Sequence, residues 1–241
     1  YSGGNMGLLQ IHGNGRLTDL LDVQQHAGSG THPRQEGPHA HSGWFTEAGG
    51  IISVDLGTNE LWFSSLDSES QQFIPRDPAT FSMEPGAGPR HLAMHPEKPW
   101  IYVVNELSSS VSLIRENSQT QELEIDQTLT TLPEGFSDEN TCADIHISLD
   151  GNFLYASNRG HNSIAIFSID PETGNLRAQG HEPTRGETPR NFSLSPDGRF
   201  LVVANQTSNN LVSFRRSEET GLLTFQDEIE APTPVCILFA P

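Results

Sequence analysis

Thr188–Leu223, TPRNFSLSPDGRFLVVANQTSNNLVSFRRSEETGLL, decides how the rest of this chain is read. Two apolar, β-branched and aromatic runs, Asn191–Leu194 and Phe200–Ala204, flank Ser-Pro-Asp-Gly. That tetrapeptide is a hairpin turn, because Pro presets φ and Gly accepts φ > 0. A third run, Leu211–Phe214, alternates in and out and is followed by Glu-Glu-Thr-Gly, a second turn, and a short fourth strand. The stretch aligns with Thr141–Leu176, TCADIHISLDGNFLYASNRGHNSIAIFSIDPETGNL. Pro196 falls on Leu149, Asn205 on Asn158 and Gly221 on Gly174, each pair 47 positions apart by residue number.

Two more copies extend the repeat. GPRHLAMHPEKPWIYVVNELSSSVSLI (Gly88–Ile114) keeps Pro89, Pro96 and Asn105 in step with Pro189, Pro196 and Asn205. PHAHSGWFTEAGGIISVDLGTNELWFSSL (Pro38–Leu66) is more divergent and needs a gap near Thr46–Gly50, which sets Asp55 opposite Glu106. The start, Tyr1–Leu17, reads as the second half of a unit. The end, Ala231–Pro241, reads as the beginning of one, with Pro234 and Pro241 matching Pro189 and Pro196. Four antiparallel strands in a unit of about 40–50 residues is the pattern of a propeller blade. No window of helical periodicity competes with it, so the expected fold is all-β: a β-propeller of four-stranded antiparallel blades, about five of them present, spanning residues 1–241 as a single domain.

Composition narrows the partners. The chain has 13 Lys and Arg against 31 Asp and Glu, a formal net charge of −18. This argues against a nucleic-acid backbone or an anionic membrane as partner. The acidic residues are scattered through loops, as on a solvated surface. No run of about 18 apolar residues and no signal-peptide pattern occurs, and a cytoplasmic location is the expectation. The two cysteines, Cys142 and Cys236, fall on innermost-strand positions beside apolar residues and read as buried structural thiols. Nothing in the sequence sets the oligomeric state.

In a hairpin the start of the first strand lies beside the end of the second. Arg90 opens a first strand and Glu106 closes the next, so the two should meet at the mouth of the channel. The same two positions hold His41 and Asp55, Ala143 and Arg159, and Arg190 and Gln206 in the other units; Val235 and Tyr1 take them in the terminal fragments. One rim would thus collect Arg90, Arg159, Arg190, His41, Glu106 and Asp55. An arginine fork suits phosphate or carboxylate, so a cationic rim in an acidic protein would focus a small anion. The alternative is that each arginine forms a structural bridge within its own blade. The segment RQEGPHAH (Arg34–His41) is a second dense cluster, in which His39 and His41 face one side of a strand. Two imidazoles near a glutamate raise the question of a metal, but no third ligand follows at recognisable spacing. An acid/base or anion-binding role fits them better. His91, His95 and His146 sit at alternating or distal positions and read as packing or loop residues, with His146 the exception because it shares a facing with Asp144.

The stretches RQEGPHAHS, GPRHLAMHP followed by YVVNEL, LYASNRGHNSIAIF, TPRNFSLSPDGRFLVVANQ and APTPVCILF resemble, in order and over nearly the whole chain, the lactonase family of seven-bladed β-propellers. That family includes bacterial 6-phosphogluconolactonases and the fungal carboxy-muconate lactonizing enzyme. The resemblance implies a channel-mouth active site of His, Arg and Glu, with no metal and no cofactor. It matches His41 (or His39), Glu106, Arg90 and Arg190 to the catalytic set. His39, Arg159, Asp55 and Arg34 are the candidate substrate-binding residues. It also implies seven blades, so the expected ring lacks its N-terminal portion. The expected function is hydrolysis of a small anionic lactone, foremost 6-phosphogluconolactone. The alternatives are muconate-type cyclisation or a non-catalytic scaffold, although the Trp-Asp signature of interaction propellers is missing.

Overall fold

The computed structural model describes residues 1–117, 119–120 and 122–240, so the expected equivalence of Pro241 to Pro196 lies outside the described residues. The chain divides into two compact units, Tyr1–Arg90 and His91–Pro241. In the first, β1 (Asn5–Leu8) and β2 (Asp22–Gln25) form a two-stranded antiparallel sheet. β3 (Ala40–Phe45), β4 (Gly50–Asp55), β5 (Glu60–Asp67) and β6 (Gln72–Ser82) form a four-stranded antiparallel sheet in sequence order.

Three further sheets repeat this plan. The first contains β7 (Pro89–Met94), in which the division falls, then β8 (Ile101–Asn105), β9 (Ser110–Glu116) and β10 (Leu123–Thr130). The second contains β11 (Thr141–Ile147), β12 (Phe153–Arg159), β13 (Ser163–Ile169) and β14 (Leu176–Pro183). The third contains β15 (Pro189–Leu194), β16 (Phe200–Asn205), β17 (Asn210–Arg216) and β18 (Leu223–Glu230). Each keeps sequence order, with its first strand at one edge. No helix occurs among the described residues. The terminal stretch from Ala231 forms no strand among the described residues, but its Ile237 amide donates to Asn191 Oδ1 at 2.6 Å.

The turn chemistry read from the sequence is visible in detail. Ser195 Oγ donates to Asp197 and accepts from the Phe200 amide, while Gly198 adopts φ +69°. Sheet-to-sheet packing in the second unit repeats equally regularly. One core joins Tyr102, Val104 and Leu113 to Ile145, Leu154 and Phe167; the next joins Tyr155 and Ile166 to Phe192, Val203 and Phe214. Each of these fully buried aromatic side chains contributes about 1.5–3 kcal/mol by leaving water. Tyr102 donates to the Gly174 carbonyl and Tyr155 to the Gly221 carbonyl, so each Thr-Gly turn is pinned on the preceding sheet. Both glycines have φ near +70°, and a Cβ on Gly174 would lie 2.7 Å from the Trp100 ring, which is why the turn carries glycine.

The register carries two features that the repeat alignment could not show. Ala40 pairs with Asp55 and Ser42 with Val54, so His41 is the extra residue of a β-bulge. Pro189 pairs with Asn205 and Asn191 with Ala204, which makes Arg190 the equivalent extra residue; the same shift interrupts β11 between Cys142 and Ile145. A bulge at the start of the first strand re-aims the side chain it carries. Secondly, Asp55 pairs with Glu60 at the start of the third strand, as Asn158 pairs with Ser163 and Asn205 with Asn210. Leu56, not Asp55, therefore occupies the Glu106 position, and the sequence alignment of that divergent copy was one residue out.

Candidate functional site

Within the first unit, His39 and His41 come together with a third ring. Tyr1 stacks on His39 at 4.6 Å between centroids and meets His41 edge-on at 5.7 Å. The repeat alignment had already put Tyr1 at a rim position. His39 Nε2 lies 3.8 Å from Glu36. Arg90 is 3% exposed, and its carbonyl accepts from Ser42 Oγ at 2.9 Å. Arg34 is exposed in the loop before β3.

Asp55, expected at the substrate rim, is instead taken up by the fold. It is fully buried and accepts from His26 Nδ1 at 2.7 Å and from the amides of His39, Gly57 and Thr58. Burial alone would raise its pKa; the hydrogen bonds from His26 and the amides outweigh that and leave it lowered. Asn158 and Asn205 do the corresponding work in their sheets, donating to the carbonyls of Thr131 and Thr184 in the preceding connection.

Within the second unit, Glu106 pairs with Arg159 at 3.0 Å, their side chains 6% and 13% exposed. The observed bridge joins equivalent positions of successive sheets, helped by the Cys142 amide donating to the Glu106 carbonyl and Arg159 donating to the Cys142 carbonyl. Arg190 is half-buried, makes no ion pair among the described residues, and lies near enough to affect Arg159. Burial lowers the Arg159 pKa, Glu106 opposes this, and the Arg190 charge adds to the lowering. The Arg190 charge beside the Glu106–Arg159 bridge leaves this end of the unit with surplus positive charge, an arrangement suited to an anion.

The other dense group in this unit surrounds Asp144, which the sequence had noted only for the facing it shares with His146. Asp144 is 2% exposed and receives His91 Nδ1 at 2.7 Å, His146 Nε2 at 3.3 Å and Asn191 Nδ2 at 2.5 Å, together with the amides of Ile145 and Phe192. Burial would push its pKa up; the hydrogen bonds from His146 and His91 more than reverse that and hold it well below the usual carboxylate range. Cys142 is buried as expected, its thiol pushed up to about 12 by burial. Cys236 is not: it is exposed, because the segment after Ala231 forms no strand that would cover it. No group of three or more metal-ligating side chains occurs among the described residues, and no helix among them is long and apolar enough to cross a membrane.

Repeated four-stranded sheets, bulged first strands and an Arg-Glu-Arg group at the strand ends define a repeat protein of the β-propeller class. The profile of the family described as Lactonase, 7-bladed beta-propeller, matches residues 1–239, and the chain belongs to that family. A 6-phosphogluconolactonase of Bacillus subtilis is 36% identical over 193 residues, covering 80% of this chain and 54% of that protein. One from Formosa agariphila is 38% identical over 199 residues, covering 80% and 56%. The chain thus spans a little over half the length of these relatives. Among solved structures, a putative 6-phosphogluconolactonase from Bacteroides fragilis superimposes with a TM-score of 0.91 at 33% identity, over 100% of this chain and 69% of that one. The periplasmic gluconolactonase of Pseudomonas aeruginosa gives 0.89 at 31%, over 95% and 64%.

Proposed function

We propose that this chain belongs to an enzyme that hydrolyses a small anionic sugar lactone, foremost 6-phosphogluconolactone to 6-phosphogluconate. The observation that carries the reading is Arg190, a half-buried cation with no ion pair among the described residues, near the Glu106–Arg159 bridge, in a chain with 31 acidic side chains and 13 basic ones. The names of its relatives support the same chemistry. In this reading Arg190 binds the phosphate or offsets charge developing on the carbonyl oxygen. Such donors, where preorganised, are typically worth about 3–4 kcal/mol each. Arg159 keeps the Glu106 carboxylate in place, and His39, beside His41, shapes the substrate's surroundings. A lactone is an activated ester, so water needs a base but the reaction needs no covalent nucleophile. His41 and Glu106 are the bases the sequence offers; the bridge to Arg159 weighs against Glu106, because a neighbouring guanidinium makes a carboxylate a weaker base. Asp55 has no part, since its oxygens are occupied.

The test is acid release from 6-phosphogluconolactone and from gluconolactone by the full-length protein, measured against spontaneous hydrolysis. A rate above background that falls on Arg190→Ala is expected; no rate on either lactone would reject the reading. Muconate-type diacids in the same panel address the cyclase alternative. A cytoplasmic setting belongs to the proposal too, and cell fractionation checks it, one solved relative being named periplasmic.

A further inference from the structure

Between β2 and β6 of the first unit lies an open cleft of about 360 Å³, walled by Asp22 and Gln24 on one side and by Gln72, Phe73 and Pro75 on the other. The corresponding seam of the second unit, between β10 and β14, is bonded shut at this place. The residue after each outer strand fixes the equivalence. The His26 amide donates to the Gly4 carbonyl and the Thr131 amide to the Ser109 carbonyl, while their side chains meet Asp55 and Asn158, which match in the following sheets. Asp22 and Gln127 stand four positions earlier, Gln24 and Leu129 two. Gln127 brackets the Leu176 backbone of β14, accepting from its amide at 2.7 Å and donating to its carbonyl at 3.2 Å, and Leu129 packs on the core. Asp22 keeps only half of that bracket: its Oδ2 accepts from the Phe73 amide at 2.8 Å, and its Oδ1 has no hydrogen-bond partner among the described residues. Gln24 stands where the leucine would. It is 9% exposed, its Oε1 accepts from Ser53 Oγ at 3.4 Å, and its amide nitrogen makes no hydrogen bond among the described residues. A donor held that far from bulk water is costly unless something pairs with it. The opposite wall departs from the repeat as well. In β10, β14 and β18 one extra residue interrupts the pairing with the third strand, whereas in β6 residues 76–79, directly after Pro75, stand opposite Phe63 alone. A bulge of this kind re-aims the side chains beside it.

We propose that this cleft binds a neutral sugar ring, an inference that does not rest on the lactonase reading. Neighbouring hydroxyls of a sugar each give and accept hydrogen bonds. Asp22 Oδ1 takes the proton of one hydroxyl and the Gln24 amide donates to the oxygen of the next, the two side chains sharing a facing two positions apart on one strand. The Phe73 ring offers an apolar surface to the C–H face of the sugar. Small-molecule sites combine such a surface with a few placed polar groups in about 300–1,000 Å³, and 360 Å³ at the low end is room for one ring. Among the described residues the lining carries one carboxylate and no cation, which disfavours phosphate and carboxylate ligands. It also lacks the further carboxylates with which proteins hold a calcium ion.

The test titrates isotope-labelled full-length protein with D-glucose, D-galactose and maltose and follows its amide resonances. At least one of the three should bind with a Kd on the order of 1 mM, the weak end expected of an open site with two polar groups. The shifts should centre on residues 22–25 and 72–75 and on the Gln24 side-chain amide. Three variants install the residues of the closed seam: Asp22→Gln, Gln24→Leu and Phe73→Leu, after Gln127, Leu129 and Leu176. Each should weaken binding at least about tenfold without lowering the urea midpoint, and any one that fails to fold leaves the other two to decide. No shift with any of the sugars, or binding unaltered in the folded variants, overturns the inference. A saturable response of the same amides to calcium or inorganic phosphate, with none to sugar, overturns it too. Binding that survives in the cleft variants but is lost in Arg190→Ala would assign the sugar to the strand-end site and likewise reject the cleft.

Discussion

Replacing Glu106 by Leu, Arg159 by Met, and both together tests whether their bridge is a coupled unit and whether that unit serves the site. At 3.0 Å the gross attraction is about 5.5 kcal/mol for an effective dielectric constant of about 20, before desolvation is subtracted. Either single change leaves a charge almost out of water: a carboxylate 6% exposed or a guanidinium 13% exposed. Breaking a buried pair in this way costs about 3–5 kcal/mol. Arg159 keeps the Cys142 carbonyl and some solvent, so Glu106→Leu belongs at about 3 kcal/mol, the low end. The double variant removes both charges of the bridge and should be no less stable than either single one, a coupling of at least about 2 kcal/mol. Urea denaturation at neutral pH reads the stabilities, and initial rates on 6-phosphogluconolactone read the function. The double variant should recover stability without recovering kcat/KM. Additive losses would show that the pair is not coupled, and a double variant with wild-type kcat/KM would remove it from the site.

Further outcomes follow from the same geometry. The Asp144 carboxyl titrates lower in the folded chain than its ordinary 3.8, so the stability it contributes is complete above about pH 4 and is lost as pH falls through the folded value; urea midpoints from pH 7 to 3 should drop more steeply for wild type than for Asp144→Asn, and equal slopes would contradict this. One thiol, exposed Cys236, should react rapidly with a disulfide reagent at pH 8, and Cys142, raised to about 12, only on denaturation; two fast thiols would be incompatible with a buried Cys142. Gly221→Ala, at φ +71° with its new Cβ driven into the Phe153 ring, should cost about 1–3 kcal/mol in urea melts, whereas a neutral effect would mean the turn relaxes freely. Arg190→Ala should raise KM for 6-phosphogluconolactone about tenfold more than for unphosphorylated gluconolactone, and an equal rise for both would separate Arg190 from the phosphate.

Much of the fold was legible because its cause is local and repeated. Ser-Pro-Asp-Gly at 195–198 and Glu-Glu-Thr-Gly at 218–221 specify turns by their own φ preferences, and the runs between them alternate with the period of a half-buried strand. The site was legible only in part. The repeat placed positions 106 and 159 at the ends of second strands, and β8 stops at Asn105 and β12 at Arg159. Bulges at His41 and Arg190 add one residue to the first strand only, which shifts the cross-strand register at those two positions by a step. The gap in the divergent copy hid that Asp55 corresponds to Asn158 and Asn205, residues that brace the preceding connection.

Sequence alone determined the all-β architecture, the four-stranded unit, the glycine turns and the scarcity of cations that makes each arginine conspicuous, because these depend on residues close together in the chain or on composition. Tertiary structure decided which charges meet. Glu106 meets Arg159, 53 positions away, and Asp144 gathers His91, His146 and Asn191 from three sheets. A carboxylate that leaves water must take whatever donors the packing of neighbouring sheets brings within about 3 Å, and that distance is set by bulges and sheet stacking that no pairwise spacing along the chain records.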